Sequence, residues 1–157
     1  MGLVSCCKVS QSLGLPGPIS MQNDFSLIDR RSEENGVSEA SRPMHENVGF
    51  LAYNALAGGF LTGKYLDTPA AFDDIQFGDQ QRGQKSAQTP RGRHDAMSWG
   101  GTLYRYRSEA ATEAAREYSR LAQDYGISLT ELSLRWCRQR QSVTSVLLGC
   151  SSMAQLE

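Results

Sequence analysis

Three groups of residues in this chain have the types and spacing to mark a ligand site, and two of them suit an anion. The first is the run 51–64, Leu-Ala-Tyr-Asn-Ala-Leu-Ala-Gly-Gly-Phe-Leu-Thr-Gly-Lys. An apolar stretch, 48–53, flows into Gly58 and Gly59 and ends in Gly63-Lys64. Glycines let peptide N–H groups approach phosphate oxygens with no Cβ between them. A lysine adds a point charge. The pattern suits a backbone that wraps an anionic cofactor, and it also suits a plain strand followed by a tight turn. Gly58 to Lys64 fits the first seven positions of the triphosphate-binding pattern G-x-x-x-x-G-K-S/T. The eighth is Tyr65, which has no aliphatic hydroxyl for Mg²⁺. Asp67, Thr68 and Pro69 prevent a long helix from opening on the lysine. A nucleotide triphosphatase is excluded.

The second group is Gln22, Asn23 and Asp24, which interrupt a strand-like run over 19–28. Strands of a parallel sheet covered on both faces are apolar nearly throughout. Polar residues within one mark either a site or a strand end running into a solvated loop. The third group is Gly149-Cys-Ser-Ser152, between the aliphatic run 143–148 and a helix start. Ser152 and Gln155 have capping-box spacing. Free first-turn amides and a positive dipole end would favour a phosphate near Ser151 and Ser152. An ordinary capped helix has the same signature.

The elements that would position these groups alternate in type. Residues 3–13 carry a weak helical face that Gly14, Pro16 and Pro18 terminate. A poor helix is expected over 30–42, weakened by Gly36 and its serines and ended by Pro43. Residues 66–107 are polar and glycine-containing, and read as one long loop. Residues 108–125 form the clearest helix, capped by Ser108 and stopped by Gly126. Its apolar face is Ala111, Ala115, Tyr118, Leu121, Ala122 and Tyr125. Ser128 and Glu131 make a capping box for the next helix, with Leu129, Leu132, Trp136 and Cys137 buried. Helices alternating with strands indicate an α/β fold with parallel strands.

The 157 residues make one domain, with 39% hydrophobic and 21% charged residues. A net charge of −1 gives no reason to expect nucleic acid or an anionic membrane as partner. Cys6, Cys7, Cys137 and Cys150 lack metal-site spacing, and reduced thiols in a cytoplasmic setting are expected. No apolar run reaches the roughly 20 residues that span a bilayer. Met1-Gly-Leu-Val-Ser-Cys6 departs from the myristoylation pattern at its sixth position, although Gly2 with Cys6 and Cys7 also permits a dual-lipid reading.

Tyr53-Asn-Ala-Leu-Ala-Gly-Gly-Phe-Leu-Thr-Gly-Lys-Tyr65 resembles the seventh-strand segment of aldo-keto reductases, usually close to Y-S-P-L-A-G-G-x-L-T-G-K-Y. Residues 18–28, Pro-Ile-Ser-Met-Gln-Asn-Asp-Phe-Ser-Leu-Ile, resemble the sixth strand. Residues 143–157 resemble the eighth strand and the start of its helix. Order and spacing fit, over most of the chain, and the resemblance implies that Cys6 and Cys7 pack within the helix before the sixth strand. The resemblance implies a partial (β/α)₈ TIM barrel over 1–157. It would consist of the C-terminal three β/α units, cut short at both ends and not closed by this chain alone.

It also implies an NADPH cofactor and carbonyl reduction, with a small-molecule carbonyl substrate if the missing barrel half completes the site. Gln22 matches a glutamine that bonds the nicotinamide carboxamide, and Tyr53 an aromatic that stacks on nicotinamide. Asn54, Leu56, Ala57, Gly58 and Lys64 fall in the cofactor loop, and Arg93 fits an arginine lent to the pyrophosphate. Gly149, Ser151 and Gln155 fall where the family holds the adenosine 2′-phosphate and adenine. Asn54 and Ala55 replace the usual Ser-Pro, and no arginine stands near Ser152 to favour NADPH over NADH. The family's catalytic tyrosine, lysine, aspartate and histidine have no match, so no catalytic residue is assigned. A non-catalytic dinucleotide-binding or channel-regulating relative, and a fragment without function, are the other readings.

Overall fold

The computed structural model of the chain describes residues 2–66, 106 and 108–156. Helix α1 (Gly2–Ser12) leads to strand β1 (Ser20–Asp24) and two short helices, α2 (Arg31–Glu34) and α3 (Val37–Ser41). Strand β2 (Gly49–Tyr53) and a 3₁₀ turn (Ala57–Thr62) follow. Later come α4 (Glu109–Asp124), α5 (Leu129–Gln139), strand β3 (Ser145–Val146) and a second 3₁₀ turn (Met153–Gln155). Of the long loop expected over 66–107, only Leu66 and Tyr106 are described, and both are buried.

The three strands form one parallel sheet in the order β1-β2-β3. This is the α/β arrangement expected from the alternation of elements. Parallel neighbours require crossover connections, which the helices provide. Phe50 and Ala52 of β2 are buried, whereas Gly49, Leu51 and Tyr53 are half-covered. Alternation along a strand therefore separates a packed face from a more open one. Met21 and Asn23 of β1 register with Phe50 and Ala52, and Val146 of β3 with Ala52, so all share the packed face. Gln22 registers with Leu51, and Asp24 with Tyr53, on the other face.

Helix α5 covers the packed face. Phe25 meets Phe50 edge-on at 5.6 Å between centroids and stacks on Trp136 at 5.1 Å. Cys137 is fully buried beside them and donates to the Phe25 carbonyl at 3.7 Å. Full burial of each phenylalanine contributes about 1.5–3 kcal/mol. A second core joins Leu27, Phe60, Leu61, Tyr65, Tyr106 and Ala115. It fastens the 3₁₀ turn after β2 to α4 and α5.

The helix ends show how local sequence sets the boundaries. The Ser108 hydroxyl accepts from the Ala111 N–H at 3.1 Å, capping α4. At the other end Gly126 is left-handed (φ 68°). The Ile127 N–H bonds the Ala122 carbonyl and the Gly126 N–H that of Gln123, a Schellman closure. Ser128 caps α5 through the Glu131 N–H at 3.0 Å. The Glu131 carboxylate meets Arg135 at 2.6 Å one turn on, so the serine half of the expected capping box is the half seen.

Several expectations are corrected. The strand read over 19–28 ends at Asp24, because Ser26 and Asp29 close a turn by exchanging backbone hydrogen bonds. The helix read over 30–42 is two short helices, broken where Gly36 turns left-handed (φ 78°). Cys6 is exposed rather than packed. Leu121 and Tyr125 of the apolar face of α4 are also exposed, at 45% and 77%; the burial on this face falls on Ala115 and Ala122. The strand read over 143–148 is reduced to Ser145 and Val146, although Thr144 and Leu147 continue its bonding to Phe50 and Ala52.

Candidate functional site

Parallel strands deliver their following loops to one end of the sheet, where barrel folds hold their ligands. The loops after β1, β2 and β3 therefore lie at the same end. Gln22 is exposed and Tyr53 half-covered. By register they occupy the same face, two residues apart along neighbouring strands, since Gln22 pairs with Leu51 and Asp24 with Tyr53. An amide that can donate and accept thus stands beside an aromatic ring, two groups suited to a planar heteroaromatic amide.

The loop after β2 reverses through a series of left-handed residues. Asn54 (φ 63°), Ala57 (φ 50°), Gly58 (φ 67°) and Gly59 (φ 96°) all have positive φ. The 3₁₀ turn begins at once, instead of the continued strand or plain turn. Its amides are largely bonded within the chain. The Ala57 N–H donates to the Asn54 carbonyl at 2.7 Å and the Gly59 N–H to the Leu56 carbonyl at 2.9 Å. The Gly58 N–H donates to Asn54 Oδ1 at 2.6 Å. The glycines here let the chain turn closely, and the charge of the loop is carried by Lys64. That side chain is exposed and folds across Gly59, with its ammonium 5.1 Å from the Tyr65 ring centroid. Leu56 is half-covered and packs against the second core.

A hydrogen-bonded group that the sequence reading did not find lies behind this loop. The Tyr106 hydroxyl donates to Asp24 Oδ2 at 2.5 Å, within the range of a charge-assisted bond. Asn54 Nδ2 donates to the Tyr106 oxygen at 2.7 Å and, more weakly, toward Asp24 Oδ2 at 3.4 Å. In the sequence Asp24 stands out only as part of the polar interruption at 22–24. Tyr106 gave a faint signal, a large aromatic at the end of a polar stretch and just ahead of the Ser108 cap. A cleft of about 400 Å³ opens beside Tyr106, with Leu27, Arg30, Glu34 and Tyr118 on its walls. Asp29 grips Arg31 there with two bonds, at 2.9 and 2.6 Å, and holds its guanidinium above its usual range.

The third group is arranged differently from expectation. Gly149, Ser151 and Gln155 are exposed after β3. The helix expected from Ser152 is a single 3₁₀ turn, and the Ser152 side chain makes no cap. The Gln155 side chain instead accepts from the Ser151 N–H at 2.8 Å and from its hydroxyl at 3.1 Å. The capping contact is therefore displaced by one residue, from Ser152 to Ser151. Ser151 and Gln155 are brought together. Arg93 lies outside the described residues. Among the described residues no cluster of His, Cys, Asp and Glu could hold a metal ion, and no helix is long and apolar enough to cross a membrane.

The sequence profile of the Aldo/keto reductase family matches residues 5–157. An aldo-keto reductase of Babesia bovis is 31% identical over 99% of the chain, which spans 48% of that protein. Protein tas of Escherichia coli (strain K12) is 30% identical over 99% of the chain and 38% of its own length. Aflatoxin B1 aldehyde reductase member 2 of Homo sapiens is 36% identical over 96% of the chain and 40% of its own length. The chain thus spans less than half the length of these relatives. A profile match running from residue 5 to residue 157, over the strands and loops just described, establishes that the chain belongs to the aldo/keto reductase family.

Proposed function

We propose that this chain supplies dinucleotide-binding segments of an NADPH-dependent oxidoreductase that reduces aldehydes or ketones to alcohols. Its three β/α units would form part of a (β/α)₈ barrel. The observation that carries the reading is the β1–β2 register, which sets Gln22 and Tyr53 on one open face beside the loop that ends in Lys64. Gln22 would hold the nicotinamide carboxamide, and Tyr53 would stack on its ring. Lys64 would face a phosphate, with Asn54, Leu56, Ala57 and Gly58 shaping the loop around it. Gly149, Ser151 and Gln155 would meet the adenosine end, and Arg93 the pyrophosphate. The donor set fits such a ligand: an amide, an aromatic ring, an exposed cation and an exposed hydroxyl. When bound, the cofactor supplies the hydride.

The residues of this chain bind and orient in this scheme. The family's proton-donating tyrosine and its lysine, aspartate and histidine have no counterpart among them, so carbonyl reduction needs those groups from other strands. The name of the human relative, an aldehyde reductase, supports a carbonyl substrate. The test is titration of the soluble chain with NADPH, following Trp99 and Trp136 emission. Saturable binding that weakens in Gln22→Ala and Tyr53→Ala is expected. Absence of saturable binding in a folded chain would defeat the reading.

A further inference from the structure

We infer that Asn54 is a positioning residue. With Tyr106 and Asp24 it forms a directional hydrogen-bond relay that sets the conformation of the loop after β2. The functional consequence rests on the cofactor reading above; the positioning itself does not.

The relay follows from hydrogen-bond bookkeeping. Asn54 stands directly after β2 with φ 63°, a conformation asparagine tolerates better than most residues. It clasps the first turn twice. Its carbonyl accepts from the Ala57 N–H at 2.7 Å, and its Oδ1 from the Gly58 N–H at 2.6 Å. The other end of the carboxamide, Nδ2, donates to the Tyr106 oxygen at 2.7 Å. That phenol donates in turn to Asp24 at 2.5 Å. A carboxylate can only accept, so the tyrosine must give it the proton and receive from Nδ2. This fixes the sense of the amide, and therefore which end of Asn54 faces Gly58. The bonds run head to tail from Gly58 to Asp24 and polarise one another.

The relay ties three separated pieces of chain. Asp24 is on β1 in register with Tyr53, Asn54 begins the loop, and Tyr106 is 82 residues from Asp24 with its ring fully buried in the second core. Seating of Tyr106 and the path of the loop are consequently linked. Both polar atoms of the Asn54 carboxamide are bonded inside the protein, so its effect on a ligand passes through the positions of Tyr53 and Gly58. The serine found here in the family pattern has one side-chain oxygen. It could serve one end of the relay but could not span both.

The experiment is residue-resolved amide exchange by NMR on the full chain without cofactor. The parent is compared with Tyr106→Phe, Asn54→Ser, the double variant and Arg140→Gln. Arg140 pairs with Glu33 at 2.8 Å and shares no bond with the relay residues, so its variant reports general loosening. Expected is a roughly tenfold faster exchange at Gly58 in Tyr106→Phe, as fits loss of a bond to a charged group. Helix α4 should be unaffected. Asn54→Ser should match this, and the double variant should be no faster than the larger single effect. Unchanged exchange at Gly58 in both single variants overturns the inference, as does equal acceleration in Arg140→Gln. NADPH titration of the same proteins keeps the two ideas apart. If the parent binds none, the cofactor reading fails while the exchange data still decide the relay.

Discussion

Gly59 offers a direct measure of how strongly the loop is held. Its φ of 96° lies beyond the left-handed well that other residues occupy near 50–70°. A left-handed conformation costs an L-residue about 1–2 kcal/mol, and this φ puts alanine at the upper end. A Cβ at this position would come 3.4 Å from Lys64 Nζ and 3.5 Å from Cε. Those atoms end a flexible, exposed side chain and can move, so sterics add little. Gly59→Ala should therefore destabilise by about 2 kcal/mol, roughly a 30-fold shift in the folding equilibrium. Urea unfolding followed by tryptophan emission would show a lower midpoint at unchanged slope. Gly2→Ala is the control, since α1 imposes no positive φ there and leaves open space around it. A loss under about 0.5 kcal/mol for Gly59→Ala would refute the argument, because the loop would then relax at little cost instead of holding its path.

Other expectations follow from single features. Burial pushes the Cys137 thiol up to about 12, from an ordinary value of 9.0. Native protein at pH 8 should be alkylated at Cys6 and Cys150, and at Cys137 only after unfolding, as peptide mass spectrometry would read. The same shift sets a sign with pH. The thiol's contribution is intact below pH 9 and is lost as pH rises toward 12, because the unfolded chain releases its proton first. Ser108→Ala removes the cap of α4 and should cost about 1 kcal/mol in the same urea experiment. Phe50→Ala empties the centre of the packed face and should cost about 3–5 kcal/mol, enough to lose the near-ultraviolet circular dichroism of the folded chain.

The sequence was most legible where a local rule acts alone. Ser108, Gly126 and Ser128 set their helix ends because a hydroxyl or a left-handed glycine acts within one turn. Gly36 broke its helix for the same reason. Strand limits were less legible. The end of β1 is decided by a Ser26–Asp29 turn, and the shortness of β3 by how much of it meets β2. Both depend on neighbours in space rather than on the apolar runs that announced the strands. The roles of Gln22 and Tyr53 came from resemblance, while their placement on one face comes from register, which no single strand reveals. The partnership of Tyr106 with Asp24 spans 82 residues and leaves no periodic mark. Asn54 looked like a departure from a family pattern, and its amide proves to bridge two contacts that a serine could not.

The ladder between β2 and β3 has a consequence for the order in which the chain assembles. Phe50 and Thr144, which bond across it, are 94 residues apart, whereas Gln22 and Leu51 on the other side of β2 are 29 apart (51 − 22). Each doubling of a closed loop costs about 0.6 kcal/mol, so joining β3 carries roughly 1 kcal/mol more closure entropy. It also gains less, since its ladder is two residues long against five for β1. The β1–β2 pair should form early and β3 arrive last. In pulse-labelled refolding, the Phe25 N–H, bonded to Tyr53, should gain protection before the Leu147 N–H, bonded to Ala52. Gly149, Ser151 and Gln155 follow β3 directly, so this half of the candidate site would be completed at the final step of folding and would be the first to open under stress.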